Sequence, residues 1–469
     1  MTPRKGKQFR TSAASEPSTS FKLHHAHAAG VDVHSDVHFV AVSSADVPAA
    51  WTNPEPRLPH GVCKFGANTG DLEALAAWLK DCHITTVAME ATGVYWIPLF
   101  ELLDRQGFHV ILVDPRQTKH APGRPKSDVL DCQWIQRLHS YGLLTASFRP
   151  SDEVVVWRGY QRQREMLIRY ASQHVQHMQK ALEEMNVKLT EVVSDITGVT
   201  GMKIIKDILR GVRDPVKLAK HRDERCKASE AEIASALYGS WRKEHLLALK
   251  QALALYEFYQ RQIRVCDTEV EACLRSFADK SDGERLPPKP QLRRRQKNEP
   301  KFAVRELLFR MAGVDLTVIE GISEPTALVV LSEIGTDLSA FPTEKNFVSW
   351  LGLCPQHRSS NRRIMSRRVR KGANRAARAL RMAAQGCHHA KNALGAFYRR
   401  IQARCGGPKA VVATARKIAE RVYRLLKYGA AYVRQAEAAY EEQYRQRTLK
   451  GMARKAALLG YKLVPVVNK

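Results

Sequence analysis

Gly30-Val31-Asp32-Val33-His34-Ser35-Asp36-Val37-His38-Phe39-Val40-Ala41-Val42 is an apolar, valine-rich run with an acid near its start. It breaks at His34 to Asp36, so it predicts either one strand or a hairpin. A carboxylate on an apolar strand is costly to bury unless it is paired or holds a cation. Asp32 is therefore the residue that needs a reason. Outward from this run, strand and helix signals alternate as far as residue 150. Asp71 to Asp81 reads as an amphipathic helix capped by Thr69 or Asp71, and Ile84 to Met89 as a buried strand. Tyr95 to Gln106 reads as a helix stopped by Gly107, and Phe108 to Val113 as a strand ended by Asp114-Pro115. Ser127 to Tyr141 is a helix with Val129, Ile135 and Leu138 on its apolar face. This alternation predicts an α/β domain over residues 29–150 with a largely parallel sheet.

Three further acids fall at telling places. Glu90 ends the second buried strand, in Val87-Ala88-Met89-Glu90-Ala91-Thr92-Gly93, and open α/β sheets gather ligands at the carboxyl ends of their strands. Asp128 and Asp131 open the last helix at i and i+3, so they share a face. If that helix docks beside the strands, four carboxylates converge, and their repulsion calls for a hard cation. Two divalent ions at such a site could activate a nucleophile and stabilise the leaving oxygen of a phosphodiester. Each acid also has an ordinary reading. Asp128 can cap its helix and Asp131 can favour the dipole, and Glu90 can start a loop. The joint placement on strand, strand and helix outweighs those separate readings.

The remaining chain is organised differently. Residues 1–28 read as a polar, disordered tail, and His24, His25, His27, His34 and His38 follow no known ligand spacing. Residues 151–275 are nearly all helical and predict a coiled-coil or bundle insert suited to oligomerisation. Residues 276–302 contain ADKSDGERLPPKPQLRRRQKNEPKF, a charged stretch read as a basic linker. Residues 303–435 are again mostly helical, with Ile319-Glu320-Gly321-Ile322 before Thr326 to Ile334 suggesting a helix-hairpin-helix entry, and residues 436–469 read as a tail, frayed from Glu441 to Lys469.

Charge separates these parts by role. The 469 residues carry 75 Lys and Arg against 47 Asp and Glu, a balance of +28. Gly30 to Pro150 holds 10 basic and 13 acidic residues, whereas Trp350 to Lys469 holds 28 and 4. A polyanion is the expected partner, bound mainly by the C-terminal third. Asn361 to Arg381 alone has nine Lys or Arg in 21 residues. Arg362, Arg363, Arg367, Arg368, Arg370, Lys371, Arg375 and Arg378, followed later by Lys409, Arg416 and Lys417, are the candidate phosphate contacts. The nine cysteines are scattered, form no CxxC pair and are odd in number, so reduced thiols are expected. No run approaches 18 apolar residues and no secretory segment opens the chain, so a cytoplasmic protein without membrane contact is expected.

Gly30-Val31-Asp32-Val33-His34, Glu90-Ala91-Thr92-Gly93 and Lys126-Ser127-Asp128-Val129-Leu130-Asp131 resemble the three blocks of the D-E-D-D insertion-sequence transposases. Phe347 to Pro355 (FVSWLGLCP), Ser359-Ser360, Arg370 to Asn374 and Ile319 to Ala327 resemble that family's C-terminal transposase domain. The resemblance implies a ribonuclease-H-like, RuvC-like N-terminal domain and a prokaryotic, nucleoid-associated DNA recombinase. It implies Mg2+ at Asp32, Glu90, Asp128 and Asp131, and a serine that forms a covalent phosphoserine link to DNA. That serine is Ser360, with Ser359 as the alternate, because the family usually has glycine next where Asn361 stands here. It implies donor and target DNA as substrates, a structured guide RNA from the same element, and a homotetramer. Two other functions fit the residues: a Holliday-junction-type endonuclease that uses water in place of the serine, and a non-enzymatic nucleic-acid-binding protein.

Overall fold

In a computed structural model of the chain, Ala28–Val33 (β1) and Val37–Ala41 (β2) form an antiparallel hairpin, with Asp32 opposite Phe39. The structure describes residues 22–119, 127–288, 297–356, 358–360, 363–366, 368–370, 372 and 374–464. They fall in two units that divide between Arg149 and Pro150.

In the first unit, Val62–Gly66 (β3) adds antiparallel to β2. Thr86–Glu90 (β4) adds parallel to β1, and His109–Val113 (β5) parallel to β4. The order is β3-β2-β1-β4-β5. The sheet is thus mixed, which corrects the expected largely parallel one. The difference lies in the hairpin and in β3, a five-residue strand of modest apolarity that the pattern did not reveal.

Thr69–Asp81 (α1) and Trp96–Arg105 (α2) cover one face of this sheet. Ala29, Val31, Val33, Val87 and Met89 bury themselves there against Leu75, Leu79, Leu99 and Leu103. The entry to α1 is Asn68, whose N–H donates to Asp71 Oδ2 at 3.3 Å, so Asp71 closes the first turn from inside it. Asp128–Ser140 (α4) covers the other face, where Ala88, Ile111 and Val113 pack on Ile135. Among the described residues between β5 and α4 lies one helical turn, Pro115–Thr118 (α3).

Alternation along β1 decides which face Asp32 occupies. Gly30 points toward α4 so closely that a Cβ there would lie 2.2 Å from Gln136 N and 2.6 Å from Cys132 O. Asp32, two residues on, shares that face and lies beneath the start of α4. The His-rich segment expected in a disordered tail is ordered over residues 22–28. The N–H groups of His24 and His25 both donate to Ser140 O, at 2.8 and 3.0 Å, and the His25 ring lies 4.7 Å from that of His139. Residues 1–21 lie outside the described residues.

The second unit begins with two long helices, Asp152–Glu184 (α5) and Lys243–Ser276 (α10). The pairs Trp157–Phe277, Tyr170–Tyr259 and His245–Glu184 show that they run antiparallel. Four short helices cap their far end: Leu189–Val192 (α6), Val199–Leu209 (α7), Pro215–Ala219 (α8) and Glu230–Ala236 (α9). Their buried residues join Met178, Leu182, Leu249 and Leu253 in one core. The stretch read as a linker is tied down near its ends. Pro287 O accepts from Arg305, Lys297 pairs with Asp195 at 3.0 Å, and Asn298 O accepts from the buried Arg164 at 2.6 Å. Residues 289–296 lie outside the described residues.

A second helical cluster follows. It comprises Val304–Ala312 (α11), Glu324–Ile334 (α12), Glu344–Trp350 (α13), Arg375–Gly386 (α14), Ala393–Cys405 (α15) and Gly407–Leu458 (α16). Between α13 and α14 sits a two-stranded hairpin, Arg358–Ser360 (β6) and Arg363–Ser366 (β7). Gly321, in the turn before α12, has φ 89° and approaches Ala383 O so closely that a Cβ would lie at 2.8 Å. The expected frayed tail is also different. Helix α16 runs through it to Leu458, with one non-helical residue at Gly429. Strong helix formers, Ala, Glu, Gln, Arg and Lys, fill that segment and account for the extension.

Candidate metal centre

All four acids singled out in the sequence line one cavity of the first unit, of about 410 Å³. β1 supplies Asp32, the last residue of β4 is Glu90, and the first turn of α4 supplies Asp128 and Asp131. Because Val31 pairs with Met89 in the parallel register, Asp32 and Glu90 sit at the same level on neighbouring strands. Ser127 starts α4 by accepting from Leu130 N at 3.3 Å, which fixes where Asp128 and Asp131 emerge.

Asp32 is 9 % exposed. Burial pushes its carboxyl above the usual carboxylate range; the facing His34 opposes this, and Asp131, Asp128 and Glu90 reinforce it. A buried carboxylate whose charge three neighbouring acids disfavour is suited to a cation. The donor set of hard carboxylate oxygens fits a divalent ion with oxygen preference. On the described residues, Asp32, His34 and Asp128 offer ligand atoms within 4.8 Å of one another.

Glu90 is oriented by two hydroxyls. Thr118 Oγ1 donates to its Oε2 at 2.8 Å, and Thr92 Oγ1 donates to its Oε1 at 3.2 Å. Lys119 is exposed at the edge of the same cavity. A lysine there can meet a phosphate brought to the acids. Cys132, one position after Asp131, is fully buried, and burial pushes its thiol up to about 12.

His34, Thr118 and Lys119 were missed in the sequence. His34 was grouped with the other N-terminal histidines, although its spacing of two from Asp32 places it on the same side of the chain. Thr118 and Lys119 follow a strand end, where ligands gather, but nothing in their composition marks them. Of the other histidines in that group, His27 pairs with Asp46 at 2.9 Å and His38 is buried on β2.

Sites read from the second unit are spread along several elements. Ser359 and Ser360 belong to β6, with Ser360 opposite Arg363 in the hairpin. Arg368 and Arg370 are exposed just beyond β7. Arg362, Arg367 and Lys371 lie outside the described residues. Arg375 meets Glu165 of α5 at 2.9 Å, with Arg378 at 3.7 Å from the same carboxylate. Arg416 and Lys417 both bond Glu420, at 2.9 and 2.8 Å, while Lys409 is exposed near the start of α16. Thus Arg375, Arg416 and Lys417 have part of their charge answered within the protein.

Comparison with known families adds two matches in the same order along the chain. A DEDD transposase model of the IS110 type matches residues 29–187, and the model for the transposase IS116/IS110/IS902 family matches residues 315–399. Together they span just over half of the chain. No curated protein matches it. The fold class seen here, a mixed α/β unit followed by a mostly helical one, thus belongs to a transposase, an enzyme that cuts and rejoins DNA. The chain is a member of the IS110 family of DEDD transposases. Enzymes of this family normally use divalent metals, and DNA is the substrate. Among the described residues, no helix is long and apolar enough to cross a membrane.

Proposed function

We propose that the first unit is a ribonuclease-H-like, RuvC-like domain whose Asp32, Glu90, Asp128 and Asp131 hold Mg2+, and that Ser360 is the nucleophile of DNA strand exchange. The observation that carries the metal reading is the convergence of the four acids on one cavity at the carboxyl end of β4. A mixed five-stranded sheet, with acids on its central strands and on a helix across one face, supports the domain reading. Bound there, divalent cations would neutralise phosphate charge and favour the alkoxide form of an attacking hydroxyl. Asp32 is held in place by the sheet, Glu90 by Thr92 and Thr118, and the paired aspartates by one helical turn. These residues can hold cations in place for an incoming phosphate without moving.

Ser360 lies inside the second matched stretch, residues 315–399. In the proposed step its Oγ bonds to phosphorus, the phosphorus–oxygen bond to one sugar breaks, the serine proton leaves, and the departing sugar oxygen takes up a proton. The reverse step on a second DNA end rejoins the strands. A structured guide RNA from the same element selects donor and target DNA, and a homotetramer holds two duplexes. Helices α5 to α10, residues 151–275, assemble that oligomer. Residues 303–435 carry the serine and, with Arg363, Arg368, Arg370, Arg378 and Lys409, contact phosphates.

The test is incubation with element-end DNA, candidate RNA and Mg2+, followed by a denaturing gel. A strand linked to protein is expected for the wild type and for Ser359→Ala, and no linked strand for Ser360→Ala or for Asp32→Asn. Cut but unlinked DNA from Ser360→Ala at the wild-type rate would instead mark a water-using nuclease and end the serine reading.

A further inference from the structure

Building on the cation site just proposed, we infer that His34 is a fifth ligand there, which gives the carboxylate site a nitrogen donor and added affinity for first-row transition dications that accept nitrogen, with Mn2+ as their paramagnetic reporter. His34 follows β1 immediately, two residues after Asp32, and its backbone N–H donates to Val37 O at 3.1 Å to close the turn. That turn aims the ring back over the cavity. Nε2 lies 3.2 Å from Asp32 Oδ2 and 3.6 Å from Asp128 Oδ1. Neighbouring ligands on an octahedral cation with bonds of about 2.1 Å sit about 3 Å apart. His34 Nε2 therefore stands at nearly the spacing of one coordination shell from each aspartate oxygen, and the three ligand atoms lie within 4.8 Å of one another.

The surroundings hold the ring in place and leave it open to an arriving ion. The ring packs edge-to-face on Phe39 at 6.3 Å, which limits its orientations. Its side chain is 38 % exposed, so an ion arriving from solvent can reach Nε2 without the fold opening. Carboxylate oxygens alone suit Mg2+, whereas an imidazole adds most for the later divalent ions of the first transition row. A site with both donors takes Mg2+ through its acids and gains extra affinity for an ion that accepts nitrogen.

Mn2+ is the probe, titrated into the full chain without DNA or RNA and followed by electron paramagnetic resonance. Wild-type protein is expected to show nitrogen modulation on bound Mn2+. His34→Gln, which keeps side-chain bulk on an exposed turn, is expected to lose that modulation and to bind Mn2+ at least ~10-fold more weakly, as ligand-shell losses commonly do. Its thermal melt should match the wild type. Asp32→Asn is the control for the site itself and should bind Mn2+ far more weakly than either. If Asp32→Asn loses Mn2+ while His34→Gln keeps wild-type affinity and the wild type shows no nitrogen signal, His34 is not a ligand and the carboxylate site stands. Tighter Mn2+ binding by His34→Gln would likewise overturn the inference, since the ring would then be competing with the ion. Unchanged binding by Asp32→Asn would remove the cation site and the inference with it.

Discussion

At the scale of single residues, Gly30 does as much for the site as any acid. Its missing Cβ lets α4 settle on β1, and that contact brings Asp128 and Asp131 over Asp32. Substituting Gly30→Ala places a methyl 2.2 Å from Gln136 N, a backbone atom that cannot move without the helix. We expect a loss of about 3 kcal/mol or more in the stability of the first unit. A lowered Tm, together with lost Mn2+ binding in any protein that still folds, is the readout; a wild-type Tm would show that α4 can lift at no cost. Asp32 was legible in the sequence because an acid inside an apolar run contradicts its surroundings. Glu90 was legible from its place at a strand end. His34 was not, because its meaning depends on a turn that bends it back toward Asp32, and a local pattern of histidines carries no record of that bend.

At the scale of elements, the C-terminal end of α4 holds a second cluster of titratable groups, about two helical turns along from Asp131. His139 is buried, its Nε2 lies 2.9 Å from Thr86 Oγ1, and that hydroxyl in turn donates to His109 O. Burial, then the neighbouring His25, His109 and His24, push the His139 ring from its ordinary 6.5 down to about 4. The same causes, burial and then His24 and His109, also lower His25. The unfolded chain therefore binds a proton between pH 6.5 and about 4 that the folded chain refuses. The stabilising contribution is complete above pH 6.5 and is lost as the pH falls toward 4. The Tm should fall through that window, and His139→Gln should flatten the fall; an equal slope in the variant would place the effect elsewhere. Element identity was largely legible here: α1, α2, α4, β4 and β5 all lie within a few residues of their expected bounds. Pairing direction was not legible. Whether β2 returns beside β1 and whether β3 joins at all depend on contacts between strands, and a strand of five residues carries too little periodicity to announce them.

At the scale of the whole molecule, net charge overstates the surface offered to DNA. The C-terminal third is strongly basic in sequence, yet Arg421 bonds Glu320 at 2.5 Å and Arg424 holds Glu344 through two contacts. Arg375 and Glu165 likewise tie α14 to α5. These cations fasten one helix to another, a use that composition cannot distinguish from phosphate binding. The distinction can be measured from the salt dependence of DNA affinity. Lys409→Ala should reduce the log–log salt slope by about 1 with little change in stability. Arg375→Ala should lower the Tm by leaving Glu165 without its closest partner, and change the slope less. Equal slopes for Lys409→Ala and wild type would remove Lys409 from the interface. The helical character of residues 151–275 was legible from apolar spacing. The antiparallel return of α10 along α5 was not, because the same spacing fits a partner helix from the chain itself or from another copy.

Gly429 has φ 77° in the middle of a segment that is otherwise helical from Gly407 to Leu458. The 29 residues beyond it form a rod of about 44 Å at the usual rise per residue. Its heading is set at one hinge point, where the backbone adopts a conformation that side chains with a Cβ resist. Small angular changes at that point sweep the far tip across many ångströms, while the packed helices before it keep their places.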